Sequence, residues 1–233
     1  MTPSERYARQ VMLPEIGISG QQALERASVL IVGAGGLGSP IALYLCAAGI
    51  GRIGLVDGDT VSESNLQRQI LYTEDETGKS KVECARATLA GRNRKCRIDT
   101  YPHFLTEKNA ADIITPYDII VDGCDNYATR YLLDDWCHRL QKPYVYGSIE
   151  GFRGQVSVFD GDKGKRYAQL FPDRATLSSR HAVPAGVIGP TPGVIGSIEA
   201  AEVIKLITGC GEPLYNRLFT IDLLTMESYT LDI

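Results

Sequence analysis

Histidine and tryptophan are scarce in this chain, at 3 and 1 of 233 residues, and neither sign of charge dominates. With 24 Lys and Arg against 28 Asp and Glu, the formal net charge is -4. That balance lacks the basic footprint needed to track a nucleic acid backbone, so any polyanion bound must be small. No stretch reaches the roughly 20 consecutive apolar residues of a membrane-spanning helix, and no membrane association is expected. The opening MTPSERYARQVMLPEIG places charges and Pro14 where an export signal needs an unbroken apolar stretch, so the expected location is cytoplasmic. The cysteines Cys46, Cys84, Cys96, Cys124, Cys137 and Cys210 are scattered without a CxxC pair or a histidine cluster. Neither a disulfide framework nor a zinc site is indicated. His103 and His138 carry no signal, and His181 reads as a solvated loop residue.

What is present is ordinary globular composition, 44% hydrophobic and 22% charged, in a chain long enough for one large α/β domain. Residues 1–233 are read as that single domain. Residues 1–27 form a helical arm with little core of its own. Strand-like runs occur at 28–32, 52–57, 97–102 and 117–122, with helix-like segments at 39–48, 79–92 and 107–114 between them. This βα alternation requires parallel strands with crossover helices. A helix at 129–140 and a strand at 144–148 follow, and 154–159 alternates in the manner of an antiparallel strand. Residues 160–184 read as a long, irregular crossover loop. A helix at 193–208 and strands at 217–222 and 227–231 complete the chain. The fold class is α/β, a Rossmann-like three-layer arrangement whose mostly parallel sheet is extended by antiparallel strands.

Gly33, Gly35 and Gly38 make a GxGxxG directly after the first strand and at the mouth of a helix, the context that gives the pattern physical meaning. Such glycines let backbone approach phosphate, whose charge meets the helix N-terminal amides. Gly36 adds a further position of close approach. Asp57 ends the next strand, roughly 20 residues on, where a carboxylate can accept hydrogen bonds from ribose hydroxyls. A nicotinamide-dependent oxidoreductase would need no more than this. Here, however, DGDTVSESNLQRQILY follows, packing Asn65, Gln67, Arg68 and Gln69 into a few residues. Arg68 can grip phosphate oxygens in a planar fork. Lys81 offers a second cation, and Asp125, after the strand YDIIVD, can hold Mg²⁺ through oxygen. Two cations and a carboxylate around a nucleotide suit phosphorus chemistry better than hydride transfer.

The ordered pieces RYARQ, GAGGLG, DGDTVSESNLQRQ, GKSKVECAR, DGCDN, GFRGQVSVF and AGVIGPTPGVIGSIEAAEVIKL span nearly the whole chain. With them the chain resembles the ThiF/MoeB/HesA family, relatives of the ubiquitin-activating enzymes. The resemblance implies a homodimer that uses ATP and Mg²⁺ to adenylylate the C-terminal Gly-Gly carboxylate of a small ubiquitin-like sulfur carrier. That carrier is ThiS-like, for thiamin synthesis, or MoaD-like, for molybdopterin synthesis. Position by position it implies nucleotide binding by Gly33, Gly35, Gly36, Gly38, Asp57, Asp59, Asn65, Arg68, Lys81, Asp125 and Asn126. Arg9 would reach across the dimer to the phosphates, making Arg9, Arg68, Lys81 and Asp125 the catalytic set. Read from the residues alone, Arg9 is equally a surface salt-bridging group.

Two departures from the family pattern stand out. Relatives often carry CxxC where this chain has RYAQ, at 166–169, and again near the C-terminus, so the four-thiolate zinc site is not expected here. At Ala182 relatives often carry a cysteine able to link covalently to the carrier, which alanine cannot do. Cys124 is the nearest alternative thiol, although simple burial accounts for it. The competing readings are a carrier-binding scaffold without turnover and a nicotinamide-dependent oxidoreductase.

Overall fold

The computed structural model describes residues 5–179 and 186–233. Five strands, β1 (Ser28–Val32), β2 (Arg52–Val56), β3 (Arg97–Tyr101), β4 (Ile119–Asp122) and β5 (Tyr144–Glu150), run parallel. β6 (Arg153–Phe159), β7 (Arg217–Asp222) and β8 (Glu227–Asp232) extend the sheet antiparallel. The order across the single eight-stranded sheet is β3-β2-β1-β4-β5-β6-β7-β8. The helices are α1 (Ala8–Val11), α2 (Gly17–Arg26), α3 (Gly38–Ala48), α4 (Lys81–Arg92), α5 (Ala110–Ile114), α6 (Tyr127–Arg139), α7 (Tyr167–Leu170), α8 (Arg174–Ser179) and α9 (Pro190–Thr208). None of the described helices is long and apolar enough to cross a membrane.

Side chains alternate across a strand, so a strand covered on both faces must be apolar at every position. VLIV, residues 29–32 of β1, meets that demand. Val29 and Ile31 join Leu24, Ile41, Leu45, Val82, Ile195 and Val203 on one face, whereas Leu30 and Val32 join Ile113, Tyr131, Leu133 and Tyr167 on the other. The result is the expected three layers. α9 begins with Pro190, whose missing N–H costs nothing in a first turn, and ends at Gly209 in the left-handed region.

Two segments take more part in the fold than their composition suggests. The N-terminal arm does have a core contribution: Tyr7 and Leu24 are buried, and Asn93 Nδ2 donates to Tyr7 Oη at 2.9 Å. Gln21 Nε2 donates to the Ala48 carbonyl at 3.1 Å, tying the arm to the end of α3. In the stretch read as an irregular crossover, the described residues 160–179 include α7 and α8, which pack on α6. Tyr167 is buried among Tyr131, Tyr144, Tyr146, Phe159 and Phe171. Arg166 Nη2 pairs with Asp134 at 2.9 Å and with Asp135 at 2.8 Å, and the Tyr167 amide donates to Asp134 at 3.0 Å. Aromatic burial and one buried carboxylate anchor this polar segment to the sheet and to α6.

Glu199 of α9 lies beneath β5, where a Cβ on Gly147 would collide with its carboxyl group. It is fully buried, and among the described residues neither of its oxygens has a hydrogen-bond partner. Burial pushes its carboxyl well above the ordinary 4.5, with Asp122 adding to the rise and Arg130 opposing it. The folded chain thus keeps a proton that the unfolded chain releases. This stabilisation is complete below the unfolded value and is lost as pH rises toward the elevated folded value. Glu199→Gln, neutral at every pH, should therefore gain stability over the parent between pH 5 and pH 8. A gain of ~1 kcal/mol would raise the melting temperature by about 2–4 °C in a chain of this size. Thermal melts at both pH values measure it, and a variant–parent gap that does not change with pH contradicts the assignment.

Candidate active site

After β1 the chain passes to β2 and β3 on one side and returns to β4 on the other, so a crevice opens where the strand order reverses. A cavity of about 650 Å³ occupies that point, beyond the C-terminal ends of the strands. Its floor is the turn from β1 into α3. Gly33 there adopts φ +96°, and a Cβ on it would strike the carbonyl of Gly123, which follows β4. The Gly33 amide donates to Val56 O at 2.8 Å and the Gly123 amide to Val32 O at 2.7 Å, so three strand ends are knit together. The positive end of the α3 dipole faces the cavity, a setting suited to an anion.

Asp57 holds the turn in place. Its Oδ2 accepts the Ala34 amide and its Oδ1 the Asp59 amide, both at 2.8 Å, while Tyr72 Oη donates to Ala34 O at 2.6 Å. Lys81, the first residue of α4, is buried, with Nζ 2.9 Å from Asp59 Oδ2. Its amide donates to the Asp59 carbonyl at 3.1 Å, so side chain and backbone fix the same pair. Half-buried Arg68 donates from Nη1 to Ser64 O at 3.0 Å, and its Cγ lies 3.6 Å from where a Cβ on Gly36 would sit. Asp125 is exposed at the rim, and Asn126 Oδ1 caps α6 by accepting the Thr129 amide at 2.9 Å.

Below this layer Asp122 is wholly buried and heavily hydrogen-bonded. It accepts from Arg130 Nε at 3.1 Å, Tyr144 Oη at 2.8 Å, the Cys124 amide at 2.9 Å and Cys124 Sγ at 2.8 Å. Arg130 Nη2 also donates to the carbonyls of Cys124 and Gly147. Burial and the Asp122 charge raise the Cys124 thiol well above its ordinary value, leaving it a poor nucleophile. Burial alone would weaken the Arg130 cation, but Asp122 holds it charged. A buried pair this well satisfied fixes geometry, whatever its net contribution to stability.

Around this cradle, the chain as a whole is similar to known proteins. The model of the ThiF family matches residues 7–233. The chain belongs to the ThiF family. The "Sulfur carrier protein adenylyltransferase" of Thermus thermophilus is 46% identical over 94% of this chain and 83% of its own length. The "Probable adenylyltransferase/sulfurtransferase MoeZ" of Mycobacterium tuberculosis is 43% identical over 98% of this chain, which spans 59% of that relative. Among solved structures, Escherichia coli MccB with ATP superposes with TM-score 0.85 at 26% identity, covering 99% of this chain and 72% of that one.

Of the residues singled out in the sequence, Gly33, Gly35, Gly36, Asp57, Asp59, Arg68, Lys81, Asp125 and Asn126 line the one cavity. Three other candidate site residues do not. Gly38 lies behind the turn, against the Gly33 carbonyl. Asn65 sits outside the lining, where its carbonyl accepts the amides of Arg68 at 3.1 Å and Gln69 at 3.0 Å and so orients both. Arg9 is exposed on α1 and contributes nothing to the cavity of its own chain. Ala182 and His181 lie outside the described residues. Sequence reasoning gave no role to Gln69, Phe104, Tyr127, Arg130, Ser148 or Glu150, all of which line the cavity. Arg130 follows DGCDN by one helical turn and was open to recognition. Phe104 and Ser148 arrive from distant segments and carry no local signal.

The close approach of Gly33 and Gly123 makes a sharp test. Gly33→Ala combines positive φ with a backbone collision and should cost more than about 1 kcal/mol. Gly193→Ala, in α9 with no atom of the described residues within 4 Å of the added methyl, should instead stabilise by about 0.4–1 kcal/mol. Urea titrations of both variants check this, and a neutral Gly33→Ala would show that the turn can relax.

Proposed function

We propose that this chain adenylylates the C-terminal carboxylate of a small ubiquitin-like sulfur carrier, consuming ATP and releasing pyrophosphate. The observation that carries the reading is the convergence of a braced glycine turn, Asp57, Arg68, Lys81 and Asp125 on one cavity. The Thermus thermophilus relative, whose printed name is that activity and most of whose length is matched, supports it. A nicotinamide-dependent reaction has no use for two cations and a rim carboxylate at the phosphate end of the site.

In this reading residues 1–233 act as one adenylation domain. Asp57 receives the ribose hydroxyls, and the glycine turn and the N-terminus of α3 receive phosphate. A carboxylate oxygen of the carrier attacks the α-phosphorus while the bond to the bridging oxygen breaks, so pyrophosphate leaves with that electron pair. Arg68 and Lys81 neutralise charge that builds on the departing oxygens. Asp59 keeps the Lys81 ammonium aimed at the cavity. Mg²⁺ bound through substrate phosphates needs only one or two protein carboxylates, and exposed Asp125 at the end of β4 fits that role. It would supply further charge neutralisation on the phosphates. Arg9 belongs to the same account only in a homodimer, where it would serve the partner's cavity. We place the protein in the cytoplasm and leave ThiS-like and MoaD-like carriers as the two substrates to test. The sulfurtransferase part of the MoeZ name describes a protein of which this chain matches little more than half.

The test mixes the chain with Mg-ATP and purified ThiS-like or MoaD-like carrier, then follows intact mass and pyrophosphate. A carrier heavier by one AMP is expected with one of them. Arg68→Ala and Lys81→Ala should each slow its formation by about 100-fold or more, the usual effect of removing a charge-stabilising donor. Carrier binding without adduct or pyrophosphate would favour a scaffold and overturn the enzymatic reading.

A further inference from the structure

The proposed reaction gives no role to a buried amide in the cavity wall. Four polar side chains that line the cavity are themselves buried: Asp57, Gln69, Lys81 and Arg130. Asp57, Lys81 and Arg130 are each hydrogen-bonded within the chain. Gln69 is 4% exposed, yet its Oε1 has no partner and its Nε2 makes no hydrogen bond among the described residues. A buried amide ordinarily satisfies both ends, so an amide left open in a cavity wall points to a missing ligand.

The geometry says which end meets that ligand. The Gln69 amide donates to Asn65 O at 3.0 Å and its carbonyl accepts the Tyr72 amide at 3.2 Å, so its backbone is pinned from both sides. The side chain runs from there toward the glycine turn, where a Cβ on Gly35 would sit 3.5 Å from Nε2. Oε1 is sealed from solvent, which turns the positive end of the amide dipole toward the turn. Arg68 and Lys81 bring charge to this region, but each is tied to an internal acceptor. Gln69 is a fixed, neutral donor with nothing to release before a ligand arrives, and such preorganised donors bind anionic oxygen well.

We infer that Gln69 is a phosphate-binding residue of this cavity, donating from Nε2 to a non-bridging oxygen of the nucleotide held at the Gly33–Leu37 turn. The inference rests on the adenylyltransferase reading for the identity of the nucleotide. It also accounts for the second glutamine of NLQRQ, which lies beside the phosphate-gripping Arg68 and is turned inward rather than to solvent.

Equilibrium binding of ATP and of adenosine to the full chain tests it, with Gln69→Met and Gln69→Glu as variants. Methionine keeps the length and removes the donor, whereas glutamate keeps the shape and turns a negative charge on the phosphates. ATP should bind about tenfold more weakly to Gln69→Met, the worth of one hydrogen bond to a charged group, and more weakly still to Gln69→Glu. Adenosine, which has no phosphate, should bind both variants and the parent equally. If Gln69→Met holds ATP as the parent does, Gln69 does not contact phosphate, and the adenylyltransferase reading stands without it. Equal loss of ATP and adenosine would assign Gln69 to shaping the cavity and likewise overturn the proposal. A parent chain that binds no ATP would overturn the underlying reading, and this inference with it.

Discussion

The backbones of Gly33 and Gly123 approach so closely that neither position has room for a side chain. This contact joins the turn after β1 to the turn after β4, on either side of the point where the strand order reverses. Everything that faces the cavity is placed relative to it. The β1 turn opens α3 toward the anion position, and the β4 turn carries Asp125 and the Asn126 cap of α6. Asp57 braces the contact from the β2 side through the Ala34 amide. The site is thus assembled by strand ends that the sheet already holds in register, which is why an open α/β sheet offers a crevice there.

Beneath that contact the charges are arranged in two layers. The lower layer, Asp122 with Arg130, Tyr144 and Cys124, is buried and internally satisfied, and it ties β4 to β5 and α6. In the upper layer Asp59, Lys81 and Arg68 line the cavity, with Arg68 also tied to the Ser64 carbonyl. The lower layer gives rigidity. The upper layer can exchange its internal acceptors for phosphate oxygens without exposing a buried charge, because Asp59 already contacts solvent. Glu199 is an exception on the opposite face of β5, a buried carboxyl with no donor among the described residues, and a standing liability as pH rises.

Much of this was legible in the sequence because the signals are local. Apolar runs of strand length, the helix between Gly38 and Ala48, and the glycines after Val32 each follow from neighbours in the chain. Lys81 and Asp125 were readable because they stand at the start of a helix and just past a strand. What was not legible depends on distant segments meeting. Tyr167 reads as part of a polar loop until α6 supplies Tyr131 and Asp134. Phe104 reaches the cavity only because β3 lies beside β2, and Asn65 has the right chemistry for a ligand contact yet spends its carbonyl on orienting Arg68. Arg9 illustrates the remaining limit, since its implied role requires a second chain.

The central claim is that the cavity activates a carboxylate with ATP. ATP–pyrophosphate exchange tests it most directly, measured with a sulfur carrier bearing a free C-terminal carboxylate and with the same carrier amidated at that terminus. The account predicts exchange that depends on the free carboxylate and is absent with the amide. Exchange that proceeds equally with both, or with neither carrier form, would contradict it.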